Sequence, residues 1–402
     1  MESLRELYRI GRGPSSSHTM GPARAAEIYR QRYPQATSFR VSLYGSLAAT
    51  GHGHMTDTAI QSALSPYPVE FTWLPEIELP EHPNGMCFQG IDADGNLLGS
   101  WQVYSVGGGA LREAGQVRTT EPVYDLTTMK EILKYCTQSG KAFWEYVEER
   151  EGKQIWDFLA EIWQAMQDCI ERGLHAEGVL PGGLGVARKA WSFYRRISLG
   201  GKSFLSEGLL PAYALAVSEE NASGGIVVTA PTCGSSGVLP GTLRYIQENI
   251  DCRDEAVLRA LATAGLVGNL VKFNASISGA EVGCQGEVGV ACAMGAAAAA
   301  QLFGATPQQI EYAAEMALEH HLGLTCDPVA GMVQIPCIER NVFAAGRALS
   351  CARYAGYTDG NHRVSFDEVV AVMKQTGHDL PSLYRETAMG GLAKAYRIPP
   401  KG

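Results

Sequence analysis

The chain has 402 residues, of which 46% are apolar and 19% are charged, a composition typical of globular proteins. Its 42 acidic residues outnumber its 33 basic ones, and the net charge of −9 without any basic run argues against nucleic acid as a partner. At ~150 residues per domain, this length predicts two or three domains.

Two segments bear on the location of the protein. The first twelve residues contain three arginines and no apolar stretch, unlike a secretory signal. Residues 288–310 carry no charge, but their alanines and glycines and the interruptions at Gln301 and Pro307 predict a buried helix rather than a membrane span. We therefore expect a cytoplasmic protein with no membrane partner.

Residues 1–120 mix helical and strand patterns. The serines 15–17 precede a helix predicted over residues 18–32, because serine is a favoured N-cap residue. Strands are predicted at 39–44, 88–91 and 97–106. The last two flank the turn Asp94-Gly95-Asn96 and predict a hairpin. This mixture predicts a small α/β sandwich domain.

Residues 121–402 are mostly helical in pattern. Thr128 with Glu131 three residues later predicts a capping box that opens a helix. Helical periodicity recurs at 140–174, 182–198, 206–218, 254–273, 284–303, 307–319, 336–356, 366–375 and 383–395. The only clear strand is 225–229. We expect an all-helical second domain, and therefore a multidomain α+β fold class.

The ten cysteines are expected to be reduced thiols, because the sequence predicts no secretion. No two of them form a CxxC pair, which disfavours a zinc finger or a ferredoxin cluster. Cys284, Cys326 and Cys337 each lie beside Gly or Pro or within a few residues of them, where backbone amides can approach a thiolate. Widely spaced cysteines are also commonly plain packing residues. That interpretation suits the remaining cysteines in helix or strand patterns: Cys87, Cys136, Cys169, Cys252, Cys292 and Cys351.

Several long sequence words resemble those of the iron–sulfur L-serine dehydratases (L-serine ammonia-lyases). These words are GPSSSHTMGP at 13–22, SGAEVGCQGE at 278–287, CDPV at 326–329 and PCIERN at 336–341. The resemblance covers nearly the whole chain in family order. It implies a [4Fe–4S] cluster on Cys284, Cys326 and Cys337, with one iron left open for Lewis-acid chemistry.

The resemblance also implies a small α/β domain over residues 1–120 and a helical, cluster-binding domain over residues 121–402. The implied reaction converts L-serine, a small-molecule substrate, to pyruvate and ammonia, a step of amino-acid degradation that feeds gluconeogenesis. The expected assembly is a homo-oligomer, most simply a dimer.

The sequence departs from the family pattern at three places. In the segment 51–57, His52 stands where the family usually has Lys and Met55 where it usually has Gly, whereas His54 and Asp57 match. Cys233 stands where many relatives have Asn, and its role is open. The tail from Tyr396 has no cysteine of the kind that folds back onto the cluster in some relatives.

Two histidines are candidates for proton transfer, because imidazole titrates near physiological pH. His54 follows Gly53 and has Asp57 nearby to orient its ring, while His18 lies at a predicted helix start. We predict His54 as the base and His18 as the acid or a substrate-binding residue, with the reverse assignment left open. Either histidine taken alone also suits a packing or surface position.

The candidate substrate-binding residues are hydroxyl, amide and carboxylate side chains near these motifs. They are Ser15, Ser16, Ser17, Thr19, Asp57, Asn274, Ser276 and Ser278. The first four lie at a helix N-terminus, where free N–H groups favour an anion such as a carboxylate. Ordinary capping and turn chemistry would explain the same residues.

Two further motifs have structural alternatives. Lys189 follows a glycine-rich turn, as a pyridoxal-binding lysine would, but a helix-surface lysine is the simpler interpretation. Glu319-His320-His321 precedes Cys326 and suits support of a cluster ligand.

Three functions follow from these observations. The first is an L-serine ammonia-lyase. The second is an iron–sulfur L-cysteine desulfidase or another hydro-lyase, and the third is a non-catalytic iron–sulfur sensor. The histidine and serine motifs far from the cysteines favour an enzyme, because a sensor needs no site for a substrate anion.

Overall fold

The computed structural model describes residues 1–115, 122–199 and 202–396. The fold is a multidomain α+β fold, with a small mixed sheet near the amino terminus and a large helical region after it. The predicted fold class is therefore confirmed. The tail beyond Tyr396 lies outside the described residues.

The elements follow one another along the chain as two groups. The strands are β1 (Ile10–Arg12), β2 (Ser38–Tyr44), β3 (Val69–Leu74), β4 (Gly85–Ile91), β5 (Leu97–Ser105), β6 (Leu111–Glu113) and β7 (Ile226–Val228). The helices of the first part are α1 (Gly21–Arg32), α2 (Gly45–Thr50) and α3 (Thr56–Leu64). Those of the second part are α4 (Met129–Ser139), α5 (Phe143–Glu151), α6 (Ile155–Leu174), α7 (Ala190–Leu199), α8 (Lys202–Ala222), α9 (Val238–Ile250), α10 (Asp254–Asn274), α11 (Gly279–Val282), α12 (Val288–Leu302), α13 (Pro307–Glu319), α14 (Cys337–Gly356), α15 (Phe366–Asp379) and α16 (Gly391–Ala395).

Five strands form one mixed sheet in the order β3-β2-β4-β5-β6. Strands β2 and β3 are parallel, and every other neighbouring pair is antiparallel. The predicted hairpin is confirmed as β4 and β5. The Asp92 carboxylate accepts hydrogen bonds from the backbone N–H of Asp94 and of Asn96, and Gly95 adopts φ +84°, which suits glycine.

Helices α1 and α3 lie on one face of this sheet and bury its apolar side chains. Tyr29 of α1 is fully buried and stacks on Phe88 with ring centroids 5.6 Å apart. Its hydroxyl accepts from the N–H of Gly90 (2.7 Å) and donates to the carbonyl of Gly99 (2.8 Å). The predicted α/β sandwich is therefore a two-layer unit with one covered face.

The first twelve residues pack with the helical region. Leu4, Leu7 and Tyr8 are buried in the helical core, and the Tyr8 hydroxyl donates to the carbonyl of Leu261 (2.9 Å). Strand β1 pairs antiparallel with β7. The boundary predicted between residues 120 and 121 lies outside the described residues and stays a prediction.

Helix α12 is the centre of the helical region. It contacts α9, α10, α13 and α14, and its thirteen residues Val288–Ala300 are all buried. Seven of these residues are alanine and one is cysteine, so the neighbouring helices can approach α12 closely. The predicted buried helix in this segment is confirmed.

Among the described residues, helix α10 has the length and apolar character needed to cross a membrane, and 78% of its apolar window is buried inside the protein. Helix α11 with its following turn, taken together with α12, also has this length and apolar character, but the two parts are bent by 53° relative to each other.

The helix predicted over 383–395 is wrong in its first half, because α16 starts at Gly391. Residues 384–387 instead run beside Cys326. The Cys326 N–H donates to the carbonyl of Tyr384 (2.8 Å), and the Thr387 N–H donates to the carbonyl of Cys326 (3.1 Å). We call residues 382–395 the carboxyl-terminal strap, since this segment lies across a cysteine loop.

Candidate active site

The helix start at Ser15 joins two histidine loops. The Ser15 hydroxyl accepts from the backbone N–H of His18 (3.1 Å), which is the N-cap contact expected of serine. A single π-helical turn, Ser16–Met20, then leads into α1. The Thr19 hydroxyl donates to the carbonyl of His54 (2.7 Å). Ser15 and Thr19 therefore hold the loops together through hydrogen bonds of their own.

The two predicted histidines lie side by side. The ring centroids of His18 and His54 are 4.5 Å apart, and both side chains are buried. The Thr56 hydroxyl donates to the carbonyl of His18 (2.6 Å), which is the counterpart of the Thr19 contact with His54. These reciprocal bonds fix the relative position of the two rings.

His18 has an acceptor at each ring nitrogen. Its Nδ1 lies 3.1 Å from Oε1 of Glu386 and 2.9 Å from the Ser17 hydroxyl, and its Nε2 lies 3.2 Å from the carbonyl of Ser46. Burial opposes ionisation of Glu386, but the nearby charge of His18 and its hydrogen bond outweigh burial and lower the pKa of that carboxyl to about 2. Glu386 belongs to the carboxyl-terminal strap, so the strap closes over His18.

His54 has a different environment. Its Nδ1 lies 3.2 Å from the carbonyl of Thr50, so Nδ1 carries the proton and Nε2 carries the lone pair of a neutral ring. Burial, followed by repulsion from His18, lowers the pKa of His54 to about 3. His54 is therefore a neutral, unprotonated imidazole at physiological pH.

Asp57 does not orient His54, contrary to the expectation from their spacing. The Asp57 carboxylate accepts from the N–H of Thr58 (2.8 Å) and lies 3.3 Å from Nδ1 of His52, an exposed side chain. Asp57 lies in the first turn of α3, whose geometry directs its carboxylate toward the helix start and His52.

The three predicted cluster cysteines come together from three elements. Cys284 lies in a 3₁₀ turn, Cys326 in the loop beside the strap and Cys337 at the first position of α14. The thiol of Cys284 interacts electrostatically with the thiols of Cys326 and Cys337.

One of these thiols ionises readily. The hydrogen bond from Cys326 and the positive charge of Arg340 lower the pKa of Cys284 to about 6, against the opposing effect of burial. The same hydrogen bond and burial raise the pKa of Cys326, and burial raises the pKa of Cys337. Arg340 interacts with all three thiols, so one cation serves the whole group.

Space beside Cys326 depends on a glycine. A Cβ on Gly279 would lie 3.4 Å from Sγ of Cys326 and 2.8 Å from Oε2 of Glu287. The Glu287 carboxyl lies 3.7 Å from Sγ of Cys326 and accepts from the hydroxyl of Thr232 (2.8 Å). Burial and the negative charges of Glu386 and Cys284 raise the pKa of Glu287.

The histidine loops and the cysteine loops meet at the same junction. A Cβ on Gly53 would lie 2.6 Å from the carbonyl oxygens of Ala330 and Gly331, which follow Cys326 in the chain. Only glycine permits this close approach of the two backbones. Glu386 interacts electrostatically with Cys326 while it contacts His18.

The predicted residues before Cys284 divide into two groups. The Asn274 side chain donates to the carbonyls of Thr127 (2.8 Å) and Leu270 (2.9 Å) and so caps α10. The Ser276 hydroxyl contacts the carboxylate of Glu281. Ser278 is buried beside Gly279, and among the described residues its hydroxyl has no hydrogen-bond partner. Only Ser278 therefore offers a free group to a ligand.

Three polar residues near the site were not predicted. His82, Asn84 and Ser105 lie at adjoining ends of β4 and β5, and all three are buried. Within the described part of the chain, Oδ1 of Asn84 and the hydroxyl of Ser105 lack hydrogen-bond partners, and Nε2 of His82 lies 3.5 Å from the carboxylate of Glu281 without a hydrogen bond. Buried polar atoms are rarely left unpaired, so this group marks a ligand or water site. The sequence signal is weak, because a His-Pro-Asn turn is also ordinary before a strand.

A cleft of about 1260 Å³ leads from the surface toward this group. Its walls come from both parts of the fold, with Ser46 on one side and Ser276, Glu281 and Glu386 on the other. Two lining residues, Ser46 and Glu386, contact His18, so the buried histidine pair lies behind the wall of the cleft. A small polar substrate would enter here.

Other residues singled out from the sequence lie apart from the junction or in its wall. The amine of Lys189 lies 3.5 Å from the carboxylate of Glu339 at the surface. His320 and His321 each contact the carbonyl four residues earlier through Nδ1. Cys233 is buried with Sγ 3.2 Å from Sδ of Met20. In the ranges that the structure describes, no group of three or more His, Cys, Asp or Glu side chains has the arrangement of a single-ion site.

The sequence is similar to known proteins through both parts of the fold. A model of the serine dehydratase alpha chain matches residues 118–393, and a model of the serine dehydratase beta chain matches residues 3–72. An L-serine dehydratase of Streptomyces coelicolor is 43% identical over 446 aligned positions, covering 97% of this chain and 98% of the relative. The L-serine dehydratase of Haemophilus influenzae and L-serine dehydratase 1 of Escherichia coli are each 40% identical, covering 98% of this chain and 99% of the relative.

Proposed function

The chain belongs to the serine dehydratase family, and from this premise we propose that it is an L-serine ammonia-lyase, which converts L-serine to pyruvate and ammonia. The observation that carries the proposal is the junction at which the buried pair His18 and His54 meets the thiols of Cys284, Cys326 and Cys337. Full-length similarity to curated L-serine dehydratases supports the same reaction.

The cofactor of this proposal is a [4Fe–4S] cluster held by Cys284, Cys326 and Cys337. The donor set fits, because iron–sulfur clusters are held by thiolates and the thiols of the buried Cys284 and Cys326 and of the half-buried Cys337 all interact with the cation of Arg340. Thiols that would hold a cluster need not converge on one point as the ligands of a single metal ion do. When bound, a cluster with an open iron supplies a Lewis acid for the substrate hydroxyl and carboxylate.

His54 is the base in this proposal. Its Nε2 holds an available lone pair, since Nδ1 donates to the carbonyl of Thr50. A buried neutral imidazole can accept the α-proton of serine without first losing a proton of its own. His18 is the proton donor in this proposal, because its two ring nitrogens face acceptors, the carboxylate of Glu386 at Nδ1 and the carbonyl of Ser46 at Nε2.

The substrate in this proposal occupies the space bounded by the unpaired hydroxyl of Ser278 and the unpaired polar atoms of Asn84 and Ser105. Serine offers an ammonium, a carboxylate and a hydroxyl, which suit such a set of donors and acceptors. Since Ser15 and Thr19 are already hydrogen-bonded within the protein, they contribute by holding the loops in place. Ser16 and Ser17 stay candidate contacts.

We further propose a cytoplasmic homo-oligomer, most simply a dimer, in a pathway that degrades serine toward gluconeogenesis. One face of α14 supports the oligomer, because Phe343 and Tyr354 on it are 77% and 57% exposed. Sedimentation velocity of the full chain measures this assembly. A monomer at micromolar concentration would contradict it.

One experiment tests the reaction and the cofactor together. Protein purified without oxygen is assayed for iron and sulfide and for pyruvate formed from L-serine, L-threonine and L-cysteine. We expect about four irons and four sulfides per chain and the fastest turnover with L-serine. Release of sulfide from L-cysteine as the main activity would indicate a desulfidase, and a cluster without turnover would indicate a sensor.

A further inference from the structure

An amino-acid substrate carries an ammonium group that must find an acceptor once it is buried. A buried ammonium is stabilised by a carboxylate and by hydrogen bonds, and it is costly without them. Three carboxyl groups lie near the histidine pair and the thiols: those of Glu281, Glu287 and Glu386.

Two of these three carboxyl groups are already engaged. Both oxygens of Glu287 are in contact, one with the hydroxyl of Thr232 and the other with the thiol of Cys326. Glu281 is partly exposed and lies against Ser276 and His82. Neither group offers a buried free oxygen to a ligand.

Glu386 does offer one. The residue is 4% exposed. Its Oε1 lies 3.1 Å from Nδ1 of His18 and accepts a hydrogen bond from the hydroxyl of Ser17. Its Oε2 is buried and, among the residues that the structure describes, has no hydrogen-bond partner. A carboxylate oxygen in this state needs a donor from a ligand or from an ordered water.

The backbone holds Glu386 in place. The carbonyl of Glu386 accepts from the Ser46 hydroxyl (3.0 Å), and the flanking residues Tyr384 and Thr387 are bonded to Cys326. Glu386 has φ +45°, an uncommon conformation for a residue other than glycine. Such conformations persist where the surrounding structure imposes them, and they cluster at functional sites.

We propose that Oε2 of Glu386 binds the α-ammonium of the substrate and so selects α-amino acids over the corresponding hydroxy acids. This inference rests on the proposed function, since it takes the occupant of the site to be an amino acid. Glu386 then has two roles: Oε1 holds His18, and Oε2 holds the substrate between His18 and the cysteine loop.

L-alanine and L-lactate test this proposal, because they differ only in the group at the α-carbon, ammonium or hydroxyl. Neither has a β-hydroxyl to eliminate, so both bind without turnover. Binding to the anaerobic holoenzyme is measured by calorimetry for the wild type, Glu386→Gln, Glu386→Asp and the control Glu76→Gln. Glu76 is an exposed residue of the same cleft.

The wild type and Glu76→Gln should bind L-alanine at least ~30-fold more tightly than L-lactate, since losing one partner of a buried charge pair costs at least that much. In Glu386→Gln the ratio should fall below ~3-fold through weaker L-alanine binding alone. Glu386→Asp, which keeps the charge, should retain part of the preference.

Two results would overturn the proposal. One is a wild-type ratio near unity, which needs no variant to fold. The other is equal weakening of both ligands in Glu386→Gln. Pyruvate formation from L-serine is assayed on the same preparations. A preserved ratio without pyruvate would refute the proposed function alone, and pyruvate without the ratio would refute the ammonium site alone.

Discussion

His18 and His54 lie with ring centroids 4.5 Å apart, yet their nitrogens face different numbers of acceptors. His18 has the carboxylate of Glu386 at Nδ1 and the carbonyl of Ser46 at Nε2. The ring of His54 has one hydrogen-bond contact in the described residues, that of Nδ1 with the carbonyl of Thr50. Acceptors on both sides stabilise an imidazolium, and a single acceptor stabilises the neutral ring. We therefore expect the pair to act as one proton donor and one proton acceptor.

Replacing His54 by Gln should abolish most turnover and leave the cluster chromophore intact. Loss of a general base lowers kcat by ~10²- to 10⁴-fold. The cluster should remain, because His54 does not belong to the loops of the three cysteines that would hold it. The measurements are pyruvate formation and the visible absorption of the anaerobic protein. His52→Gln is the matched control, because His52 belongs to the same loop and is 71% exposed. Loss of the chromophore in His54→Gln alone would mean that His54 has a structural role.

The pH dependence of kcat/KM should show no titration of a catalytic base with a pKa near 6.5. A base with an unperturbed pKa near 6.5 would lose ~4-fold in kcat/KM between pH 7.5 and pH 6.0. Burial lowers the pKa of His54 to about 3, so its basic form persists throughout this range. We therefore expect the ionisation of His54 to change kcat/KM with L-serine by less than ~20% over this range. A decline that follows a pKa near 6.5 would contradict the neutral state of His54.

The same shift has a consequence for stability. Because the pKa of His54 is lower in the folded chain than in the unfolded chain, the folded chain binds fewer protons. The stabilisation is complete above pH ~6.5 and decreases as the pH falls from ~6.5 toward 3. Urea unfolding at pH 7 and pH 5 should show a smaller loss of unfolding free energy for His54→Gln than for the wild type. Equal losses would indicate that His54 titrates normally.

Cys284→Ala should abolish the brown cluster chromophore, whereas Cys136→Ala should retain it. Cys284 lies among the three thiols, and Cys136 is a buried packing residue of α4. Iron and sulfide analysis alongside the absorption spectrum checks the result. If both variants behave alike, the assignment of the cluster ligands is wrong.

Asp327→Asn should destabilise the protein more than Asp57→Asn. The buried carboxylate of Asp327 accepts from the Thr325 hydroxyl (2.9 Å) and from the N–H of Leu392 in the strap (2.7 Å). Loss of buried hydrogen bonds of this kind costs ~1–3 kcal/mol of unfolding free energy. Asp57 contacts the exposed His52, so its change should stay within ~0.5 kcal/mol and alter turnover by less than ~2-fold. A large activity loss in Asp57→Asn would restore Asp57 to the site.

Local rules predicted the features that depend on a few neighbouring residues. Ser15 caps its helix and Thr128 forms its capping box with Glu131, because each contact spans three residues. The β4–β5 hairpin follows from its turn in the same way. The family motifs indicated Cys284, Cys326 and Cys337 as a group, and their thiols interact electrostatically in the structure, while their role as cluster ligands stays a prediction.

The remaining features depend on distant parts of the chain. Glu386 is 368 positions away from His18, and nothing near it in sequence indicates a histidine partner. The segment that contains it has a helical pattern, but its backbone bonds to Cys326 replace those of a helix. Asp57 shows the converse, since it is three positions from His54 yet faces His52. The positions of Glu386 and Asp57 in the sequence therefore did not predict which histidine each carboxylate contacts.

The pairing of β1 with β7 limits how the cleft can open. Because residues 1–12 pack in the helical body before the chain enters the five-stranded sheet, and the chain returns to that body at Tyr124, the sheet unit is an insertion anchored at both ends. Such a unit cannot separate from the helical region as a whole unless one of its two attachments breaks. Any movement that widens the cleft must therefore leave both attachments intact and act on the close contact of Gly53 with Ala330 and Gly331.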